Sequence, residues 1–163
     1  MQDNPKRFGA LTLGLILSIT ISACGGPGTE STTTMNMGGE SGFGSAGDPA
    51  AADRIVEINA SDSLAFEPAE VTVAAGETIT FRIVNQGSLV HDFTLGDQAT
   101  QDEHEAEMAE GGMVHDQPNV VAIPGGETVE LTWTFPESGT VLIGCHEPGH
   151  YAAGMKGRVT IDA

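Results

Sequence analysis

Basic side chains are scarce in this chain of 163 residues. Six Lys and Arg residues stand against 23 Asp and Glu residues, so the formal net charge at pH 7 is −17. Two of the six, Lys6 and Arg7, lie in an N-terminal segment that we expect to be removed. The remaining four are Arg54, Arg82, Lys156 and Arg158. A surface this acidic repels phosphate groups, so nucleic acid and anionic membrane surfaces make poor partners.

Cysteine is also scarce, with Cys24 and Cys145 as the only two. Cys24 falls in a processing signal, described next, so the two residues are not expected to meet. A disulfide framework is therefore not supported. The length of the chain allows one domain and little more.

A long hydrophobic run occurs at the N-terminus. Lys6 and Arg7 precede an apolar run from Phe8 to Ala23 that ends in small residues, which is the pattern of a bacterial secretory signal. The run is too short and too weakly flanked for a membrane span. The residues Ile21-Ser22-Ala23-Cys24 resemble the lipobox of bacterial lipoproteins, in which the cysteine is lipidated and becomes the new N-terminus. We predict a signal peptide over residues 1–23 and lipidation of Cys24, with ordinary cleavage as the alternative.

The next segment lacks any strand or helix period. Residues 25–52 are rich in Gly, Ser, Thr, Pro and Ala, so we predict a flexible linker over residues 24–52 that begins with the lipidated Cys24. Treated as a flexible coil, this tether would span roughly 30 Å, enough for a small domain to sweep a membrane surface. We expect Met35 and Met37 in the linker to be solvated, with weak copper(I) binding as the alternative.

The rest of the chain alternates between apolar and polar residues in short runs. Ile79, Phe81 and Ile83 alternate with polar neighbours, and the residues from Val129 to Phe135 repeat the pattern, which is typical of strands with one buried face. Since no long amphipathic helix interrupts these runs, we predict an all-β domain over residues 53–163. Its expected architecture is a two-sheet antiparallel β-sandwich of about seven or eight strands with Greek-key connections.

Three potential metal ligands lie close together near the C-terminus. Cys145, His150 and Met155 have the spacing C-x4-H-x4-M on one predicted loop. A thiolate, an imidazole and a thioether form a soft donor set, which suits copper better than magnesium, calcium or manganese. A blue-copper centre also needs a second histidine, and His91 lies in the apolar run 89–95, which we predict as a strand.

The segments that carry these residues resemble the cupredoxins, which are small blue-copper electron carriers. The resemblance is carried by Asn85-Gln86-Gly87-Ser88-Leu89-Val90-His91-Asp92-Phe93 and by Cys145…Pro148-Gly149-His150…Gly154-Met155-Lys156-Gly157, and it is strongest to the auracyanin, rusticyanin and plastocyanin/azurin-like group. It covers about residues 54–163. It implies the cupredoxin fold and one type 1 copper ion, with His91, Cys145, His150 and Met155 as the ligands.

His146 raises the question of a multicopper oxidase, because Cys145-His146-x3-His150-x4-Met155 also has the spacing of the type 1 segment in those enzymes. The chain has five histidines and no His-x-His pair, too few for a trinuclear copper cluster. We therefore expect no enzymatic activity, and we expect His146 to lie at the surface or to support the site from behind the ligands.

Asp92 departs from the resemblance, because many cupredoxins have Asn after the first histidine ligand. An ionised carboxylate near the thiolate would favour copper(II) and lower the reduction potential, whereas a protonated or outward-turned one would not.

An acidic segment from Gly96 to Pro118 interrupts the strands. Thr100-x-x-Glu103 fits a capping box, and Gly111 is a candidate end for a short helix. His104 and Met108 would share a face of that helix, which could hold a second metal ion. We expect instead a solvated flap over the sandwich.

These observations lead to two functional hypotheses. The first is a membrane-anchored, extracytoplasmic blue-copper protein that carries single electrons between redox partners, acts as a monomer, and meets basic partners such as a c-type cytochrome. The second is a module for copper buffering, delivery or resistance. Methionine and histidine residues outside the proposed ligand set motivate the second hypothesis: Met35, Met37, His104, Met108, Met113 and His115.

Overall fold

Two five-stranded sheets pack face to face in the computed structural model, which describes residues 41–111 and 117–162. In chain order the strands are β1 (Ser45–Ala46), β2 (Arg54–Ser61), β3 (Ala65–Glu67), β4 (Glu70–Ala74), β5 (Thr78–Asn85), β6 (His91–Gly96), β7 (Val120–Ile123), β8 (Thr128–Thr134), β9 (Gly139–Gly144) and β10 (Lys156–Asp162). The helices are α1 (Gln98–Ala109) and α2 (His150–Ala153), with a 3-10 turn at Pro49–Ala51. The predicted all-β sandwich is confirmed. In the described part of the chain, no helix is long and apolar enough to cross a membrane.

The strand order is β1-β8-β5-β2-β3 in one sheet and β4-β10-β9-β6-β7 in the other. The predicted antiparallel arrangement is confirmed for most strand pairs, but β2 pairs with β5 and β4 pairs with β10 in parallel. The chain crosses between the sheets from β3 to β4 and again from β4 to β5, and such crossovers bring strands side by side in the same direction. Alternating hydrophobicity shows which face of a strand is buried but carries no information on its direction.

The core is built from the inward-facing residues of both sheets. Phe93 of β6 lies at its centre, with ring centroids 5.2 Å from Phe81 and 5.5 Å from Phe66. Phe81 in turn lies 6.2 Å from Phe135 in an edge-to-face arrangement. Burying a phenylalanine side chain stabilises a fold by about 1.5–3 kcal/mol, so this cluster is a large part of what holds the two sheets together.

The segment that precedes β2 packs on the sandwich, so the predicted linker extends too far. β1 pairs with β8, and the Phe43 ring stacks on Trp133 with a centroid distance of 5.7 Å. The Trp133 indole N–H also donates a hydrogen bond to the Phe43 carbonyl at 2.9 Å. A Gly-rich composition predicts a linker, but it does not reveal that one aromatic residue within it has a partner 90 positions away.

Helix α1 covers the outer face of the second sheet, where it contacts β6 and β9. Asp97 caps its N-terminus by accepting the Thr100 amide at 2.9 Å, so the predicted capping box beginning at Thr100 is wrong. The predicted end at Gly111 is confirmed, since this residue follows the C-cap with a φ of +84°. The expectation of a solvated flap is also wrong, because Gln101, His104 and Met108 are buried against the sheet.

Candidate metal centre

Three donor atoms converge at one end of the sandwich. His91 Nδ1 lies 3.2 Å from His150 Nδ1, and the Cys145 Sγ lies 3.3 Å from His150 Nδ1 and 3.9 Å from His91 Nδ1. A point equidistant from the three atoms lies about 2.0 Å from each, which is the length of a metal–nitrogen bond. Within residues 41–111 and 117–162, no other group of three or more His, Cys, Asp and Glu side chains is placed to hold a metal ion.

Three different elements bring these side chains together. His91 is the first residue of β6, Cys145 follows the last residue of β9, and His150 begins α2. We predicted a strand over the whole run 89–95, but β6 begins only at His91, and Leu89 and Val90 are exposed.

The loop from Cys145 to Met155 is closed by its own backbone. The Cys145 amide donates to the Met155 carbonyl at 3.1 Å, and the Met155 amide donates to the His150 carbonyl at 3.0 Å. Gly149 and Gly154 flank α2 with φ values of +87° and +101°, which residues with a Cβ rarely adopt. The Met155 side chain is fully buried in the core. The loop therefore holds three of the four predicted ligands at fixed positions relative to each other.

The donor set fits copper. Burial lowers the pKa of His91, and the neighbouring His150 lowers it further, so His91 offers a neutral ring nitrogen at pH 7. Burial raises the pKa of the Cys145 thiol, and the Asp92 carboxylate raises it further. The thiol therefore keeps its proton until a metal cation displaces it. Two imidazoles, one thiolate and a methionine match the preference of copper for soft and borderline donors.

The loop before His91 is held by two polar side chains. Asn85 donates its amide hydrogens to the carbonyls of Leu89 and Ile123, at 2.7 and 3.0 Å. Asp62 accepts the backbone amides of Ser88 and Leu89, at 2.9 and 3.1 Å. His91 is thus positioned by a braced loop as well as by its strand.

Asp92 and His146 form a buried polar layer between the centre and α1. Asp92 faces away from His91 and lies beneath the helix, where its carboxylate contacts His104 Nε2 at 3.0 Å. The His146 ring is also buried, bonded to Gln101 at 2.7 Å and to Glu105 at 2.7 Å. Of the two alternatives for His146, the structure excludes the surface position and places the ring behind the ligands.

Three residues of this layer were not predicted from the sequence to belong to the site: Gln101, His104 and Glu105. The spacing of Gln101, His104 and Met108 along one helix face was the available signal, but their polar character and the acidic neighbours favoured solvent. His104 is bonded to Asp92 rather than placed in a second metal cluster. The remaining candidate residues lie outside the described part of the chain: Cys24, Met35, Met37, Met113 and His115.

Comparisons with known proteins agree with this geometry. Residues 52–162 match the family model for copper binding proteins of the plastocyanin/azurin family. The copper-resistant cuproprotein CopI of Rubrivivax gelatinosus is 39% identical over 120 residues, covering 73% of this chain and 73% of the relative. Auracyanin-A of Chloroflexus aurantiacus is 31% identical over 169 residues, covering 96% of this chain and 97% of the relative. Among solved structures, auracyanin B superposes with a TM-score of 0.62 at 27% identity, covering 74% of this chain and 97% of the other.

Proposed function

The chain belongs to the plastocyanin/azurin family of copper-binding proteins, and on that basis we propose that it is a membrane-anchored, extracytoplasmic protein that carries single electrons between redox partners. The proposed ligands of its one type 1 copper ion are His91, Cys145 and His150, with Met155 as the weak axial donor. The protein exchanges electrons without catalysing a reaction of its own.

The convergence of the three donor atoms on a braced scaffold is the observation that supports this proposal. Copper would supply a one-electron couple, and the exchange is fast when the two oxidation states need little rearrangement of the ligands. The sheets hold His91, and the self-bonded loop holds Cys145 and His150. A preformed site of this kind resists the changes in geometry that would slow electron transfer.

The electron is proposed to pass through His150. Its ring is only partly buried, whereas His91 and Cys145 are inaccessible. The two residues before His91 are exposed apolar side chains, with Leu89 44% and Val90 47% accessible. A small apolar surface around a ligand edge allows close approach of a partner without desolvating charged groups.

The optical spectrum of the purified domain with copper(II) tests the proposed site. We expect an intense thiolate-to-copper band in the native protein and its loss in Cys145→Ser, because the thiolate supplies the transition. The control is Ile143→Val, a small change to a core residue two positions before Cys145, and this variant should keep the band. Retention of the band in Cys145→Ser would remove this residue from the ligand set.

The membrane anchor is proposed to be a lipid on Cys24. The alignment with auracyanin-A covers 96% of the chain and so extends into its N-terminal part, whereas the alignment with CopI covers 73%. Cys24→Ala should release the protein from membranes or leave it as an unprocessed precursor, as followed by fractionation and mass spectrometry. A variant that is correctly cleaved and stays on the membrane would contradict the proposed lipidation, and Ser22→Ala is the matched control.

Copper resistance is the second candidate function, and the name of the CopI relative favours it. In that role copper would be cargo, held by several sites rather than one. Copper titration separates the two hypotheses: one tightly held, intensely coloured ion supports an electron carrier, whereas several weakly held, colourless copper(I) ions support a buffer. Variants of Met35 and Met37 should lower the stoichiometry only in the second case.

A further inference from the structure

Asp92 carries a carboxylate in a fully buried position, with 0% of the residue exposed. One carboxylate oxygen accepts the His146 amide at 2.5 Å, and the other lies 3.0 Å from His104 Nε2 and 3.4 Å from the Thr94 hydroxyl. A buried carboxylate is unfavourable unless hydrogen bonds and a counter-charge compensate the loss of water. Of its three partners, His104 is the one that can carry a positive charge.

Asp92 also binds at two points to the loop from Cys145 to Met155, called the ligand loop below. Its own amide donates to the Cys145 Sγ at 3.4 Å, and its carboxylate holds the amide of His146, the residue that directly follows Cys145. The orientation of this one carboxylate therefore governs the backbone on the far side of the thiol. The carboxylate and the sulfur are thus attached to the same short stretch of backbone.

His104 comes from a different element, the helix α1, and is 2% exposed. Because the Asp92 carboxylate only accepts hydrogen bonds when ionised, Nε2 of His104 must carry the proton that joins them. On the other side of the ring, Nδ1 lies 3.6 Å from a Glu107 oxygen. Two carboxylates thus face this imidazole, and the hydrogen bond to Asp92 is the main cause of its raised pKa.

We propose that His104 is a positioning residue of the copper centre, which acts through Asp92 to hold the loop at Cys145 and to balance the carboxylate charge beside the thiolate. This inference rests on the proposed ligand set. An unbalanced carboxylate favours copper(II), the more positive of the two oxidation states, and lowers the reduction potential. His104 therefore raises the potential, and α1 is the element that delivers it.

Reduction potentials of four proteins at one pH test the charge balance: the native protein, His104→Gln, Asp92→Asn and the double variant. His104→Gln should lower the potential by at least about 59 mV, equivalent to a tenfold change in the ratio of the two copper binding constants. Asp92→Asn alone should raise it. In the Asp92→Asn background, His104→Gln should shift the potential by less than about a third of the shift that it causes in the native protein. The reason is that the neutral amide no longer needs a charged partner.

Equal shifts in the two backgrounds would overturn the proposal, because His104 would then act independently of Asp92. Met108→Leu is the matched control, since Met108 lies one turn further along the same buried helix face and carries no charge; its potential should equal that of the native protein. If His104→Gln does not fold, Asp92→Asn carries the test alone, and an unchanged potential there overturns the proposal.

The positioning role has a separate readout in metal-free protein. Hydrogen exchange of the His146 amide, followed by NMR, should be at least about tenfold faster in His104→Gln than in the native protein or Met108→Leu. Unchanged protection would overturn the positioning role whatever copper does. A native protein that shows no intense band with copper(II) would instead overturn the proposed ligand set.

Discussion

His91 and Asp92 are neighbours in sequence with opposite tasks. Successive residues of a strand point to opposite faces, so His91 faces the donor atoms between the sheets while Asp92 faces α1. One strand therefore positions a proposed ligand and, on its other side, the carboxylate that holds the ligand loop. At the residue scale, the centre is governed by side chains on both faces of β6.

The proposed axial ligand, Met155, leads to a prediction at the residue scale. Met155→Leu should keep copper bound and raise the reduction potential by tens of millivolts, where about 59 mV corresponds to a tenfold ratio of binding constants for one electron. The reason is that a weak axial donor which favours copper(II) is withdrawn. Voltammetry of the variant measures the shift, with Ile161→Val, a core residue of β10, as the control. A lower potential, or the loss of copper, would count against Met155 as the axial ligand.

Helix α1 changes the environment of a whole strand. All six residues of β6 are buried, because the sandwich covers one face and the helix covers the other. Strands at the surface of a sandwich ordinarily bury one face only. Because both faces of β6 are covered, the Asp92 side chain can lie beside the ligand loop without contact with solvent.

The loop before β6 should show a pH-dependent stability. Hydrogen bonds from the Leu89 and Ser88 amides lower the pKa of Asp62 below its ordinary value of 3.8. A carboxyl group of this kind stabilises the folded state above pH 3.8 and loses that contribution as the pH falls through its folded pKa. Asp62→Asn should therefore destabilise the metal-free protein at pH 7 and have a smaller effect near pH 3.

Chemical denaturation of both proteins at the two pH values measures this difference. Gln86→Ala is the control, since Gln86 lies in the same loop, bonds to Asn59 at 2.6 Å and removes no titratable group when replaced. An Asp62→Asn effect that stays constant with pH would show that the carboxylate charge does not brace the loop.

The packed segment before β2 gives a further prediction at the element scale. Phe43→Ala should lower the free energy of unfolding by about 2 kcal/mol, roughly half the cost of truncating a fully buried phenylalanine, because Phe43 is half-buried on Trp133. Ile55→Ala is the control: Ile55 is 52% exposed, and its replacement should change stability by no more than about 0.5 kcal/mol. An unchanged stability in Phe43→Ala would show that the segment does not contribute to the domain.

At the scale of the whole molecule, we propose separate roles for the acidic surface and for the exposed apolar side chains before His91. The chain has a formal charge of −17, and exposed acids on α1 and its cap add to the field near the second sheet: Asp97, Asp102, Glu103 and Glu110. Leu89 and Val90, the two residues before His91, are exposed apolar side chains. Long-range attraction would steer a basic partner towards the protein, and short-range apolar contact would seat it.

Electron transfer to a basic c-type cytochrome, measured by stopped flow over a salt series, tests this division. The rate should fall as salt is added, because the Debye length is only about 8 Å at physiological ionic strength. An anionic small-molecule reductant is the control, and its rate should rise with salt. A cytochrome rate that ignores salt or rises with it would show that the acidic surface does not guide the encounter.

The sequence by itself determined the kind of centre and the class of fold. The spacing of Cys145, His150 and Met155 is local, and so is the alternation along β5 and β8. This spacing limits the distances that folding can produce, since residues five positions apart stay within about 18 Å of each other even when extended, and a strand always alternates its faces. The all-β sandwich could therefore be predicted from the alternation, a copper site from the donor set, and the family from the resemblance that these segments carry.

Only the tertiary structure decided which groups surround that centre. The burial of His104 and His146, the packing of Phe43 on Trp133 and the parallel pairing of β2 with β5 each join residues far apart in the chain. Polar side chains on an acidic helix are predicted to be solvent-exposed, because a hydrophobicity pattern carries no information about the hydrogen-bond partners of a side chain. A buried polar group is stable only when its hydrogen-bond partners are present. Only the folded chain places Asp92 beneath α1, within reach of such partners.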